Sequence, residues 1–191
     1  MARRDEVILS LLEEGAGSQL ELSRRLGVSL SAVNAALRPL DAMGAVEIRR
    51  RGLRMLDARK AALYFATHQS IARKTAYATR VEKPVSGIEG EMPAGVAFTA
   101  YSGYKLLYGE VPADYGEAYV YAGGKALEEI RRRFPENGGR PNLVALSPDP
   151  TVERLAKKGI APKFQVFADL WNLREWYAAD FLKAMEARLF G

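Results

Sequence analysis

The apolar positions of the first 45 residues recur at helical spacing. They predict three short helices, over residues 5–14, 18–26 and 29–38. Ser18 and Ser29 stand where the second and third helices begin, and serine is a preferred N-cap residue. The chain therefore opens with three amphipathic helices, each of which can bury one face in a common core.

The second and third helices are separated by a tight turn. Gly27 follows the second helix directly, with the small Ser23 four residues before it and Val33 six residues after it. Two helices that cross at a steep angle need a small residue at their contact and a glycine-like turn between them. The spacing thus predicts a helix-turn-helix. We also expect Pro39 to kink or end the third helix.

A basic hairpin follows the three helices. Residues 46–48 and 53–56 predict two short strands, and residues 49–52 form the turn between them. Three helices followed by such a hairpin resemble a winged helix-turn-helix domain over roughly residues 5–57. In that fold the third helix has the width that a DNA major groove admits, and the hairpin, or wing, contacts phosphates or the minor groove.

The charge is distributed unevenly, which agrees with this interpretation. Residues 1–80 contain 14 Lys and Arg residues against 8 Asp and Glu residues, whereas residues 81–191 contain 14 against 15. The whole basic excess therefore lies in the N-terminal part, as expected of a segment that contacts a polyanion. The other possibility at this point is that the excess only keeps the protein in solution.

Ten residues are candidates for DNA contacts. On the third helix, Asn34 can pair with adenine and Arg38 with guanine or a phosphate, while Leu30 and Ala35 can meet thymine methyl groups. Because few of these side chains can recognise a base, we expect much of the affinity to be electrostatic. The predicted DNA-binding residues are Arg24, Arg25, Ser29, Ser31, Asn34, Arg38, Arg49, Arg50, Arg51 and Arg54.

The remainder of the chain predicts a connecting helix and a second domain. Residues 58–83 contain a stretch rich in Ala, Arg and Lys, which predicts one helix from Ala58 to about Tyr77. Residues 84–191 alternate short apolar runs with helical stretches, which is typical of a small α/β sheet. The expected strands are 96–100, 118–121, 143–146 and 165–168, and the expected helices are 101–108, one around 127–134, 151–158 and one from about 172 to 190. The predicted fold is mixed α/β, with an N-terminal winged helix-turn-helix at 1–57, the connecting helix at 58–83 and an α/β domain at 84–191.

Two segments of the second domain suggest chemistry. Gly123 and Gly124 open a helix after a strand, but the segment lacks the spacer of a phosphate-binding loop, and we interpret it as a turn. Ser102 at a helix start and Glu117 on a strand have the spacing of a nucleotidyltransferase. That chemistry needs two carboxylates two residues apart for its metal ions, and Tyr119 occupies the second position. We therefore predict a nucleotidyltransferase-like domain without catalysis, cofactor or metal site.

A winged helix joined to such a domain resembles the AbiEi-type antitoxin regulators of type IV toxin–antitoxin systems. The segments that carry the resemblance are Phe98–Ser102, Tyr119–Tyr121, Gln165–Asn172 and Ala178–Leu182. The resemblance implies a repressor that binds double-stranded DNA at its own operon. It also implies a genetic link to a nucleotidyltransferase-type toxin.

Two other functions stay open: a nucleotidyltransferase acting on a nucleic acid, and an adaptor whose winged helix binds protein. The composition excludes further classes. With no cysteine and one histidine, His68, the chain has neither disulfides nor a His-rich metal cluster. Without a long apolar run or a secretory pattern, we expect a cytoplasmic protein that contacts no membrane. We also expect a homodimer, because regulators commonly pair two half-sites.

Overall fold

The computed structural model describes residues 2–50 and 52–191. Its N-terminal part forms the three predicted helices and the predicted hairpin, so the order and spacing of these elements are confirmed. Ser18 and Ser29 cap the second and third helices by accepting from Glu21 N and Ala32 N, each at 3.2 Å. The elements are α1 (Ala2–Glu14), α2 (Gln19–Leu26), α3 (Leu30–Ala42), β1 (Val46–Arg49) and β2 (Gly52–Met55).

The crossing of α2 and α3 depends on the turn between them. Gly27 has a φ of +62°, in the left-handed region that only glycine adopts readily. Ser23 Oγ donates to Val28 O at 2.6 Å across the same turn. The small residue and the glycine that the sequence places here therefore fix the angle between the two helices.

Helix α3 continues through Pro39 to Ala42, so this proline does not end the helix, and a kink at Pro39 stays a prediction. A proline in a helix removes one backbone hydrogen bond, but the following turn can still form. Met43 N donates to Pro39 O at 3.2 Å, and the side chains of Leu37 and Leu40 are completely buried. Core packing on both sides of the proline holds the helix together.

The connecting segment is not one helix to Tyr77. Helix α4 (Ala58–Thr67) ends before His68, a short helix α5 (Ile71–Lys74) follows, and residues after it form strand β3 (Thr75–Thr79). Tyr77 and Thr79 alternate with less buried neighbours and pair with a strand that lies almost 70 residues later. The strand conformation buries the side chains of Tyr77 and Thr79 on the sheet, which favours it over a continued helix.

The C-terminal part confirms the mixed α/β fold class. Its elements are α6 (Val85–Gly90), β4 (Ala97–Thr99), α7 (Ala100–Tyr108), β5 (Ala118–Tyr121), α8 (Gly124–Arg133), β6 (Leu143–Leu146), α9 (Pro150–Leu155), α10 (Lys163–Trp171) and α11 (Ala178–Phe190). The sheet has the order β3-β6-β5-β4, in which β5 and β6 are parallel and the outer strands are antiparallel to their neighbours. Both faces of the two central strands are covered by helices.

Three details of the predicted C-terminal elements are wrong. Residues 165–168 lie in helix α10 and not in a strand, because every side chain from 164 to 170 is buried and the sequence shows no periodicity that separates helix from strand. Helix α9 is capped by Asp149 and ends at Leu155, three residues before the predicted end at 158. Helix α11 begins at Ala178, later than expected, and Trp176 before it is 79% exposed.

One hydrophobic core connects the two parts of the molecule. A continuous cluster of buried apolar side chains extends from Val7 in α1, through Phe65 in α4, to Phe167 in α10 and Met185 in α11. Polar contacts cross the same boundary: Asn172 Nδ2 donates to Ala66 O at 2.9 Å. The winged part (α1 to β2) is therefore packed, together with α4, directly onto the α/β part (β3 to α11). Within the described residues, no helix combines the length and the apolar character needed to cross a membrane.

Candidate nucleic-acid interface

An open cleft lies between helix α3 and the β1–β2 hairpin, which we call the wing. Its floor is formed by Ser18 and the first turn of α2, and the preceding Gly17 is tied to the wing because Leu53 N donates to Gly17 O at 2.9 Å. One wall is the outer face of α3 and the other is the wing. The cleft has a volume of about 740 Å³ and is lined by Ser18, Gln19, Leu20, Leu30, Ser31, Asn34, Arg49, Arg50 and Gly52.

The outer face of α3 is accessible along its first two turns. Leu30, Ser31, Ala35 and Arg38 are exposed, while the opposite face is buried against α1 and the rest of the core. The C-terminal part packs on α1 and α4, on the other side of the winged part, and leaves this face open. A helix presented in this way can enter a major groove.

Four of the predicted arginines are available for an anion. Arg24, Arg38, Arg50 and Arg54 are exposed, and none of them forms an ion pair with a carboxylate in the described part of the chain. Exposed guanidinium groups without a carboxylate partner can bind phosphates, and Arg50 among them lines the cleft.

Other predicted residues already have partners in the protein. Arg25 donates to Gly15 O at 2.8 Å and pairs with Glu21 at 2.6 Å, so it holds the α1–α2 turn and is less free to contact DNA. Ser29 uses its hydroxyl group as the cap of α3. Arg49 pairs with Glu47 at 2.7 Å but is 62% exposed, and this contact raises the pKa of its guanidinium further. Arg51 lies outside the described residues.

Four residues that line the cleft are not among the sequence-predicted contacts: Ser18, Gln19, Leu20 and Gly52. Gln19 and Leu20 lie in the first turn of α2, and Leu20 is 46% exposed. Asn34 Nδ2 donates to Gln19 Oε1 at 3.2 Å, which joins the starts of α2 and α3. The Ser18 cap indicates that Gln19 begins a helix, but only the non-local contact between Gly17 and the wing shows that this helix start forms the floor of the cleft.

The residues that suggested a nucleotidyltransferase bond to different partners in the structure. Ser102 Oγ donates to Glu89 Oε1 at 2.7 Å, whereas Glu117 accepts from the hydroxyl group of Tyr177 and lies just before strand β5. Tyr119 packs edge-on against Tyr101. The two positions of the predicted frame thus have different partners.

Two further candidates lie elsewhere in the α/β part. Gly124 begins α8 with a φ of +47°, a conformation that explains a glycine there without any ligand. Asp169 is completely buried and accepts from Thr99, Tyr121 and Gln165, so it does not face an open site. Among the described residues, no group of three or more His, Asp or Glu side chains is placed to hold a metal ion.

Comparison with known proteins gives one match. A family model described as winged helix-turn-helix DNA-binding matches residues 1–47, which are about a quarter of the chain. No curated protein and no solved structure matches significantly. The match covers the three helices and the first two residues of the wing, and it ends before the wing residues that line the cleft. The N-terminal part thus has a winged helix-turn-helix fold, and residues 1–47 are similar to a family described as DNA-binding.

Proposed function

We propose that this protein is a transcriptional regulator that binds double-stranded DNA in the cleft between α3 and the wing. The observation that carries the proposal is the open face of α3 beside exposed arginines that have no carboxylate partner in the described residues. In this arrangement α3 lies in the major groove. The arginines of the wing, together with Arg24, contact phosphates and fix the orientation of the helix.

The salt dependence of binding tests the electrostatic part of the proposal. If about five to seven phosphates are contacted, the logarithm of the affinity falls with the logarithm of the salt concentration at a slope near −5 to −6. Replacing Arg49, Arg50, Arg51 and Arg54 with Ala lowers the affinity for all duplexes and makes the slope shallower. A gel-shift titration at several salt concentrations measures both quantities.

A matched pair of double variants separates the wing from the overall charge. Arg50→Ala with Arg54→Ala removes two positive charges from the wing, and Arg132→Ala with Arg174→Ala removes two exposed arginines from the α/β part. We expect only the wing variant to lose affinity strongly. Weak binding that is the same in both variants would favour the protein-binding adaptor instead.

Sequence preference is assigned to α3. We expect Asn34→Ala and Arg38→Ala to lower the affinity for a preferred duplex by about 1–3 kcal/mol for each base that is no longer recognised, with a smaller effect on random duplexes. Binding to a set of duplexes with single base-pair changes measures the difference. Equal losses on preferred and random duplexes would contradict the reading role of these residues.

The antitoxin role is a narrower proposal that rests on the resemblance to AbiEi-type regulators. Three of the resembling segments supply Thr99, Tyr121, Gln165 and Asp169, whose side chains form one buried hydrogen-bond network. The meeting of these segments in one network supports the proposal that this chain and the AbiEi-type regulators share an architecture. The test is to express the chain together with a nucleotidyltransferase encoded beside it: rescue of growth and repression of the shared promoter are expected, and repression without rescue leaves a regulator only.

We also propose that the α/β part is not catalytic. Tyr119 occupies the position where a nucleotidyltransferase needs its second carboxylate, and Glu117 is engaged with Tyr177 and with Arg140 at 4.0 Å. Incubation with labelled nucleoside triphosphates and magnesium should transfer no label to nucleic acid. Transfer that Glu117→Gln abolishes would establish the nucleotidyltransferase alternative.

The proposal also includes the oligomeric state of the protein and its cellular compartment. We propose a homodimer acting in the cytoplasm, since a dimer contacts two half-sites of an operator. Light scattering on the free protein and on its complex with DNA measures the stoichiometry. One chain per duplex in the complex would overturn the dimer and leave the DNA-binding proposal intact.

A further inference from the structure

The amide groups of Gln19 and Asn34 form a side-chain bridge in the floor of the cleft. Asn34 Nδ2 donates to Gln19 Oε1 at 3.2 Å, and the two residues are 15 positions apart in the chain. Both side chains are half-buried and both line the cleft. The bridge therefore lies on the surface that the proposed function assigns to DNA.

The bridge leaves Asn34 with the groups that adenine requires. A primary amide has two N–H donors and one carbonyl acceptor. One N–H of Asn34 is committed to Gln19, so the second N–H and Oδ1 remain. Adenine offers an acceptor at N7 and a donor at N6, and an asparagine amide recognises both at once.

The position of Gln19 is fixed by the protein and not by DNA. Gln19 is the first residue of α2, directly after the Ser18 cap, and the preceding Gly17 is bonded to the wing at Leu53. The bridge thus joins Asn34 to a rigid point between the helix and the wing. An amide held in one orientation before binding loses less side-chain entropy when it meets a base.

From this geometry we infer that Gln19 is a positioning residue that holds the amide of Asn34 in the orientation that recognises adenine. The inference rests on the proposed function, since it concerns specificity within the same cleft. Gln19 is uncharged, so its contribution appears in the preference between duplexes and leaves the salt slope unchanged. The predicted preference is for an adenine in the base pair that Asn34 reaches.

The experiment begins with selection of preferred duplexes from a random pool by the whole chain. Affinities are then measured for the selected duplex and for versions in which each adenine is replaced. Gln19→Met keeps the length of the side chain and removes the acceptor, while Gln19→Glu keeps an acceptor and adds a charge that weakens binding to every duplex alike. The measured quantity is the ratio of affinities for the adenine duplex and its substituted version.

We expect Gln19→Met to lower this ratio by about 3- to 10-fold, from the cost of ordering a side chain that is no longer held. Gln19→Glu should keep the ratio within about twofold of the wild-type value, although its affinities are lower throughout. In an Asn34→Ala background, Gln19→Met should have no further effect on the ratio, because the two residues act as one unit. Thermal unfolding of each variant confirms that it is folded.

Several results would overturn the inference. The first is an unchanged ratio of affinities for Gln19→Met, and the second is a ratio that Gln19→Met lowers equally in the Asn34→Ala background. The third is a ratio that Gln19→Glu lowers as much as Gln19→Met does. The fourth is a selected pool of duplexes in which no adenine depends on Asn34 for recognition. In each of these cases salt-dependent binding by the wild-type chain keeps the proposed function. If the wild-type chain retards no duplex at low salt, the proposed function itself fails.

Discussion

Asp169 is a buried carboxylate whose hydrogen bonds hold three elements of the α/β part together. It accepts from Thr99 Oγ1 at 2.6 Å, from the hydroxyl group of Tyr121 at 2.9 Å and from Gln165 Nε2 at 2.8 Å. Burial raises the pKa of Asp169, although Lys74 and the three hydrogen bonds act in the opposite direction. The donors around this carboxylate thus depend on it as their acceptor.

We predict that Asp169→Ala lowers the free energy of unfolding by about 3–5 kcal/mol, because its partners are left buried without an acceptor. Urea unfolding followed by circular dichroism measures the change. Asp114→Ala is the control: Asp114 is exposed in a loop, and its replacement should change stability by less than about 0.5 kcal/mol. Similar losses in the two variants would show that the network does not stabilise the fold.

Some residues of the interface have roles that their sequence neighbours determine, and these roles are predictable. Other roles depend on contacts between distant residues and are not. Ser18 and Ser29 are predictable as caps because an N-cap is determined by neighbours within four residues. The bond from Arg25 to Gly15 O depends on the folded turn, whereas its pair with Glu21 is local; the contact of Arg25 with DNA stays a prediction. Gln19 escapes prediction because its role depends on Asn34, which reaches it only when α2 and α3 cross.

At the scale of elements, helix α10 is capped by a residue of α1. Pro162 stands at its N-terminus and provides no side-chain cap, whereas Glu13 Oε1 accepts from Phe164 N at 2.6 Å. Burial raises the pKa of Glu13 above its ordinary value of 4.5, although the hydrogen bond from Phe164 opposes this change. A half-buried carboxyl group of α1 therefore completes a helix in the other part of the chain.

Two variants of Glu13 separate the cap from its charge. Glu13→Ala leaves Phe164 N without a partner and should lower the free energy of unfolding by about 1–2 kcal/mol. Glu13→Gln keeps an acceptor without the charge. Since the folded pKa of Glu13 is raised, the wild-type protein should lose stability relative to Glu13→Gln as the pH rises from about 4.5 towards neutrality. Denaturant unfolding at pH 4 and pH 7 tests both statements, and a pH-independent difference would contradict the second.

The elements that the sequence predicts wrongly are those whose conformation depends on distant partners. Residues 165–168 are buried on all sides in α10, and a short apolar run without periodicity fits a helix or a strand equally well. Strand β3 does show alternation, with Tyr77 and Thr79 more buried than their neighbours. However, the preceding residues of α4 have strong helix propensity. The pairing with β6, which makes Thr75–Thr79 a strand, is non-local and cannot be seen in the sequence.

For the whole molecule, the continuous core predicts a single cooperative unfolding transition. Both tryptophans, Trp171 and Trp176, lie in the α/β part, while helices in both parts contribute to the far-ultraviolet circular dichroism. Because α1 and α4 pack on α10, the winged part should not stay folded alone. We expect fluorescence and circular dichroism to give the same midpoint in urea. Two separate midpoints would show that the parts unfold independently.

The contact between α1 and α9 makes the junction sensitive to acid. Arg154 Nη1 and Nη2 each lie 3.0 Å from a carboxylate oxygen of Glu14, and these hydrogen bonds hold the pKa of Glu14 below its ordinary value of 4.5. A carboxylate with a lowered pKa stabilises the fold above its unfolded value and loses this effect as the pH falls through the folded value. The pair should therefore contribute at neutral pH and not in acid.

We predict that Arg154→Gln lowers the thermal midpoint at pH 7, and that its difference from the wild-type midpoint shrinks as the pH is lowered from 6 to 3. Calorimetry across this range measures the difference. Arg80→Gln, which removes a partly exposed arginine paired with Glu82 nearby in sequence, is the matched control and should show little effect. A difference that grows in acid would contradict the assignment of the pair.

Because the winged part shares its core with the α/β part, the orientation of α3 is set by packing and not by a tether. A pair of chains joined through their α/β parts would present two recognition helices at a constant separation and rotation. Such a pair tolerates no change in the helical phase or in the distance between its half-sites. Proteins that carry their recognition helices on flexible linkers do tolerate such changes. Insertion of about five base pairs, half a helical turn, at the centre of an operator should then abolish simultaneous binding of both halves, and a full-turn insertion should not restore it.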